Sequence, residues 1–206
     1  MTGCVTFYEI IIHKCLPGKY GVMDQTTDAE IVARVLQGDK QAYAVLIEAY
    51  QGPLFNLAFR MTGSYSDADD LTQEIFIKAY QNLYQFDQKK KYFTWLYTIG
   101  INLIRNYLNK KARDHAHHTE NHLLAEAQAQ GSGSGEGGLV SEERLGRLEK
   151  AMQQLPVDLR EAIILKYHQD LTFEEVAAVT GDTLGAVKMR IYRGLKQLKQ
   201  LMDEND

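Results

Sequence analysis

The chain of 206 residues contains two cysteines, three prolines and a single tryptophan, and each scarcity excludes something. Cys4 and Cys15 lie together near the N-terminus, so neither a disulfide framework nor a four-cysteine zinc site can be built, and a reduced cytoplasmic chain is expected. Few prolines and little Val/Thr alternation argue against sheet and for helix. Long apolar runs are missing. The patch within residues 1–22 is interrupted by Glu9 and His13 and has no basic residue before it, which excludes a bilayer span and a signal peptide. We read that segment as a peripheral extension, with Met23 as the expected true start and an ordered strand or arm as the alternative. Charge of one sign is not in large excess either. The formal net charge is −4, from 23 Lys+Arg against 27 Asp+Glu, so partners must be sought in local segments. Finally, there is no paired acid and base at catalytic spacing, no nucleophile motif and no phosphate loop. The chain therefore reads as a non-enzyme with no cofactor.

What is present is helical periodicity. Ile31, Val32, Val35 and Leu36, then Tyr43, Leu46, Ile47 and Tyr50, then Leu54, Leu57, Ala58 and Met61 recur at three-and-four spacing. Gly38-Asp39 separates the first helix from the second, and Gly52-Pro53 falls where a helix would restart or kink. The expected fold is all-α: two small helical domains joined by a flexible linker. Their expected bounds are 23–113 and 140–206, with the linker at 114–139.

Residues 66–113 carry the main functional clue. Their first part holds Asp67, Asp69, Asp70, Glu74 and Asp87 against one Lys78. Their second holds Lys89, Lys90, Lys91, Arg105, Lys110, Lys111 and Arg113 with no carboxylate. A phosphate backbone attracts the second surface and repels the first, so two different partners are implied. Ser66 and Asp69 resemble a capping box, and Ala68, Leu71, Ile75, Ala79 and Leu83 form the buried stripe. Opposite them lie Asp67, Asp70, Gln73, Glu74, Ile77 and Gln81. Those carboxylates either stabilise the helix N-terminus or, with Ile77 at their centre, form a docking face.

After the lysine run come Tyr92, Phe93, Trp95 and Tyr97. Cations that hold a backbone, interleaved with rings that stack, are what unpaired bases require, although either Phe93 or Trp95 alone fits a core position as well. Leu96, Ile99, Gly100, Leu103, Tyr107 and Leu108 face inward in the next helix, while Trp95, Thr98, Asn102, Arg105, Asn106 and Asn109 share the other side. Asn weakens a helix interior, and its amide can pair with adenine edges, so this face reads as a nucleic-acid surface.

From residue 114 the pattern collapses into His115, His117, His118 and His122, followed by a Gly/Ser tract at 131–138 that reads as a tether. No cysteine or helix-locked pair supports a metal site on these histidines, and none is expected. Periodicity returns with Leu145, Leu148, Met152 and Leu155, is stopped by Pro156, and continues through Leu159, Ile163, Ile164 and Tyr167. Thr172 and Glu175 then form a capping box, Gly181 supplies a positive-φ turn, Ala177 keeps the helices close and Val187 plugs the angle between them. This is a helix-turn-helix. Its second helix, capped by Thr183, buries Val187, Ile191, Leu195 and Leu198 and presents Lys188, Arg190, Arg193, Lys196 and Lys199 to DNA.

Taken with DADDLTQEIFIKAYQNLYQFD, YFTWLYTIGINLIRNYLNKKAR and LTFEEVAAVTGDTLGAVKMRIYRGLKQLKQL, the chain resembles an extracytoplasmic-function sigma factor of the bacterial sigma-70 family. The resemblance covers residues 28–113 as region 2 and 140–202 as region 4. It implies a subunit that directs RNA polymerase core to promoters and promotes DNA melting. Asp67, Asp70, Gln73 and Glu74 would dock on the β′ clamp coiled coil. Lys90, Lys91, Trp95, Thr98, Asn102, Arg105, Asn106 and Lys110 would read the minus-ten element, and Thr183, Lys188, Arg190 and Arg193 the minus-thirty-five element near the β flap. An anti-sigma factor is a further implied partner, and no membrane insertion is implied. Asn106, Gly100 and Met189 stand where the family commonly has Asp, Ala and Ser. Two other classes remain to be separated from this one. A stand-alone helix-turn-helix regulator would bind a two-fold operator without polymerase, and a metal enzyme would need His117 and His118.

Overall fold

The computed structural model describes residues 25–119 and 139–203. The N-terminal extension, the Met23 start, His122 and the Gly/Ser tract lie outside the described residues. Within them the chain forms eight α-helices. In the first half, α1 spans Gln25–Leu36, α2 Ala42–Thr62, α3 Tyr65–Gln81 and α4 Tyr92–Thr119, with a 3₁₀ turn at Leu83–Gln85. In the second half, α5 spans Leu139–Gln154, α6 Val157–Ile163, α7 Phe173–Thr180 and α8 Leu184–Asp203, with a π-helical turn at Ile164–His168 after α6.

Of the two outcomes expected at Gly52-Pro53, a restart or a kink, the restart does not occur. Pro53 is buried inside an unbroken helix whose neighbours Tyr50, Leu54, Leu57 and Met61 are themselves in the core. Tertiary burial of that face, at roughly 2 kcal/mol per fully buried large side chain, outweighs the local penalty of proline. The helix ends where it should, at Gly63 with φ 70, whose N–H returns to the Phe59 carbonyl. The cap of α3 is Ser64 rather than Ser66: its hydroxyl accepts from the Asp67 N–H at 3.3 Å. The α3 stripe is buried along its whole length, as its spacing predicts. In α4 the inward face also includes Ile101 and Ile104, both fully buried. Gly100 lets α4 approach closely, since a Cβ there would lie 3.3 Å from Ile75 Cδ1 and 3.5 Å from Leu54 Cδ2.

The capping box of α7 forms as predicted, with Thr172 and Glu175 each serving the other's backbone N–H. Gly181 takes φ 74 in the turn, and Thr183 Oγ1 accepts from the Ala186 N–H at 3.2 Å at the start of α8.

The two halves pack on each other. The Arg160 guanidinium, 7% exposed, donates to the Met61 carbonyl at 2.7 Å, and Gln153 Nε2 donates to the Arg60 carbonyl at 2.9 Å. Both bonds satisfy last-turn carbonyls of α2 that the helix itself leaves open. Gln169 bridges the seam further along, donating to the Pro53 carbonyl at 3.2 Å and accepting from Tyr97 Oη at 2.8 Å.

Candidate nucleic-acid interface

On α3, Asp70, Gln73 and Glu74 are exposed. Glu74 pairs with Lys78 at 3.2 Å, and Gln73 donates to Asp69 at 2.9 Å. Beside them the apolar side chains of Ile77, Tyr80 and Tyr84 are 57%, 40% and 72% exposed. Ile77 was legible from the sequence, whereas the two tyrosines were not singled out. Asp67 departs from this face. Its carboxylate turns to α4, where Lys111 Nζ donates at 2.8 Å. Burial pushes the Asp67 carboxyl up, but hydrogen bonds from Lys111 and Tyr107 outweigh it and hold the group below its usual value. Asp67 thus braces α3 against α4.

On α4, Trp95 is half-buried, with its ring 5.3 Å from Phe86 and 5.7 Å from Tyr92. Phe93 is buried and packs on Tyr97 at 4.2 Å, so of the two rings only Trp95 reaches the surface. Asn102, Asn106 and Lys110 are exposed, as is Lys90 in the preceding loop. Thr98 spends its hydroxyl on the Thr94 carbonyl at 2.8 Å, an intrahelical bond that leaves it little to offer a base.

Arg105 and Lys91, expected to face DNA, are instead engaged by the second half. Arg105 Nε and Nη2 donate to Glu161 Oε2 and Oε1, both at 2.6 Å, and the Glu161 side chain is 0% exposed. Those bonds hold the Arg105 guanidinium more firmly protonated. Burial pushes the Glu161 carboxyl up, against the opposing pull of Arg105. Lys91 Nζ lies 2.8 Å from Glu175 Oε1. Sequence reasoning missed Glu161, although there was a signal. It sits one helical turn before Ile164 and Leu165, on the apolar face, where an isolated carboxylate needs a cation.

On α8, Thr183, Lys188 and Arg193 are exposed. The Lys188 ammonium lies 5.6 Å over the Phe173 ring. Arg190 is half-buried and tied to Asp182, with one bond at 3.0 Å, so it stiffens the turn and is not open to the groove. Leu184, Met189 and Tyr192 are 38%, 50% and 65% exposed on the same helix as these cations.

An acidic helix face, an amide-bearing helix and a cationic helix-turn-helix thus follow one another along the chain. Over 178 residues the chain is 34% identical to the ECF RNA polymerase sigma factor SigW of Bacillus subtilis, across 84% of this chain and 95% of that protein. This chain belongs to the ECF sigma factors. The family model described as Sigma-70 region 2 matches residues 46–114, and the one described as Sigma-70, region 4 matches 145–198. The ECF RNA polymerase sigma-E factor of Escherichia coli is 35% identical over 175 residues, 82% of this chain and 91% of that one. Two solved structures share the fold at 24% identity. CnrH in complex with the cytosolic domain of CnrY has a TM-score of 0.65 and covers 87% of this chain and 99% of that one. The sigma factor RpoE with the anti-sigma factor NepR from Bartonella quintana has a TM-score of 0.63 and covers 78% and 96%. As a sigma factor the protein serves promoter-specific transcription initiation with RNA polymerase, the region 2 match falling within α2 to α4 and the region 4 match within α5 to α8. Among the described residues no helix is long and apolar enough to cross a membrane, and no group of three His, Cys, Asp or Glu could hold a metal.

Proposed function

We propose that this sigma factor opens promoter DNA without any hydrolytic step, by capturing unpaired bases of the minus-ten element on α4. The observation that carries this reading is the open amide face of Asn102 and Asn106 next to the half-exposed Trp95, flanked by Lys90 and Lys110. Amides offer base edges a donor and an acceptor, the indole offers a stacking surface, and the lysines neutralise phosphate. Capture of flipped bases offsets an unstacking cost of a few kcal/mol. Asp70, Gln73 and Glu74, with Ile77, Tyr80 and Tyr84 beside them, form the surface for the β′ clamp coiled coil, and the Asp67–Lys111 pair fixes its angle to α4. Thr183, Lys188 and Arg193 read the minus-thirty-five element, and region 4 meets the β flap. An anti-sigma factor is the expected antagonist, since RpoE of Bartonella quintana is solved with one. The protein acts in the cytoplasm, as a specificity subunit and not as an enzyme, with domains at about 23–113 and 140–206 and a tether between.

The test is run-off transcription and permanganate footprinting with core polymerase on candidate promoters. Trp95→Ala and Asn102→Ala are expected to reduce melting while core binding is retained. Undiminished permanganate reactivity in both variants refutes the assignment.

A further inference from the structure

We infer that Met189 and Tyr192 are specificity-determining residues of the helix-turn-helix, reading thymine C5-methyl groups in the major groove of the upstream promoter element. The inference rests on the reading of α8 as the helix that enters the minus-thirty-five duplex. Gly185, Met189 and Tyr192 follow one another at spacings of four and then three residues, so they form one line along α8. That line lies opposite Val187, Ile191 and Leu198, the side chains that α8 buries in its own domain. Helical spacing sets Lys188 on one flank of the line and Arg193 on the other, both exposed. A single exposed methionine needs no explanation, but an apolar line with a cation along each side matches a groove floor between two phosphate walls.

The neighbouring cations leave the centre of this face to the apolar pair. Arg190, the other cation beside Met189, is held by the Asp182 carboxylate, with one bond at 3.0 Å. The Lys188 ammonium is drawn back toward α7, 5.6 Å over the Phe173 ring, which Lys166 shares at 5.1 Å. A cation held at the edge of the helix suits a phosphate better than a base. What remains on the line can tell base pairs apart in one way, because thymine alone carries a methyl group in the major groove. Met189 supplies a flexible, polarizable chain and Tyr192 a flat ring, and both make favourable contact with a methyl. Gly185 completes the arrangement. Glycine weakens a helix relative to alanine, and a Cβ here would meet nothing within 4 Å, so no packing within the chain calls for it. Its missing side chain lets the first turn of α8 come close to the base pairs.

The test uses the full chain assembled with core polymerase, on a promoter that supports run-off transcription. Each thymine of the upstream element, on either strand, is replaced in turn by deoxyuridine, which removes the methyl and keeps the pairing edge. Equilibrium affinity is measured by filter binding. The parent is expected to lose about fourfold for each methyl it covers, at one or two positions. Met189→Ser should bind the thymine promoter more weakly and become indifferent to uracil at one of these positions. Tyr192→Ala should do so at the other, while Tyr192→Phe keeps the parent's response. Gly185→Ala should raise the thermal midpoint and yet weaken promoter binding, a combination that a folding defect does not produce. Equal affinity of the parent for thymine and uracil at every position overturns the inference, as does an undiminished uracil penalty in Met189→Ser and Tyr192→Ala. If those two variants instead assemble poorly with core polymerase and keep that penalty, the line is a polymerase contact and the inference fails. If scrambling the whole upstream element leaves the parent's affinity unchanged, the reading of α8 as the minus-thirty-five helix falls as well.

Discussion

Adding one methyl group at Gly194 should disturb the seat of the recognition helix by an amount that can be worked out. A Cβ at this buried position of α8 would lie 2.7 Å from Ile163 Cδ1, 3.3 Å from Ile163 Cγ1 and 3.4 Å from Leu159 Cβ. Ile163 is 1% exposed and has nowhere to swing. Overpacking of this kind costs about 1–3 kcal/mol, and the better helix propensity of Ala offsets about 1 kcal/mol, so Gly194→Ala should destabilise by about 1 kcal/mol. Ile163→Val removes the clashing Cδ1 and by itself costs about 1 kcal/mol for the cavity it leaves. In the Gly194→Ala background the alanine methyl fills that space, so the two losses should not add and the coupling should reach about 1–2 kcal/mol. Urea unfolding of the four proteins, followed by circular dichroism, measures the cycle. Binding to a minus-thirty-five duplex should recover in the double variant along with stability. If the losses add to within about 0.5 kcal/mol, the packing argument is wrong.

Three further outcomes follow from the geometry. Burial, helped by the charge of Arg60, pushes the His168 imidazole down to about 3 from 6.5. The folded chain keeps it neutral while the unfolded chain protonates, so stability should fall by about 1.4 kcal/mol per pH unit as pH drops below 6.5, and urea midpoints of His168→Gln should show a flatter limb. Thr172→Ala removes the cap of α7 and should cost about 1 kcal/mol with weaker minus-thirty-five binding, while Thr172→Ser should restore most of both. Reversing charge with Asp70→Lys and Glu74→Lys should weaken retention on a core polymerase column and leave the thermal midpoint within a few degrees; unaltered retention removes the docking face.

Local chemistry was legible in the sequence and contact between the two halves was not. The Thr172–Glu175 box, the Gly181 turn and the α3 stripe are each written within a few residues, and the structure forms them as predicted. Ser64 and Ser66 are equally good caps on paper, and the choice between them is made by where Gly63 ends α2. At Pro53 the sequence left a restart and a continuing helix both open, because the local penalty was set against packing from α3 and α4 that spacing alone does not show. Asp67, Arg105 and Arg190 were each assigned to an open face by helical spacing alone. Spacing says which side of a helix a residue occupies but not what covers that side, and Lys111, Glu161 and Asp182 cover these three.

The last turn of α2 gives its Arg60 and Met61 carbonyls to side chains of the second half, Gln153 and Arg160. While the halves stay together, a helix near the start of the chain is thus finished by residues near its end, and the two should melt in calorimetry as one cooperative unit. A substitution anywhere in α5 or α6 would then register as weaker amide-exchange protection at the far end of α2, a position it never touches in sequence.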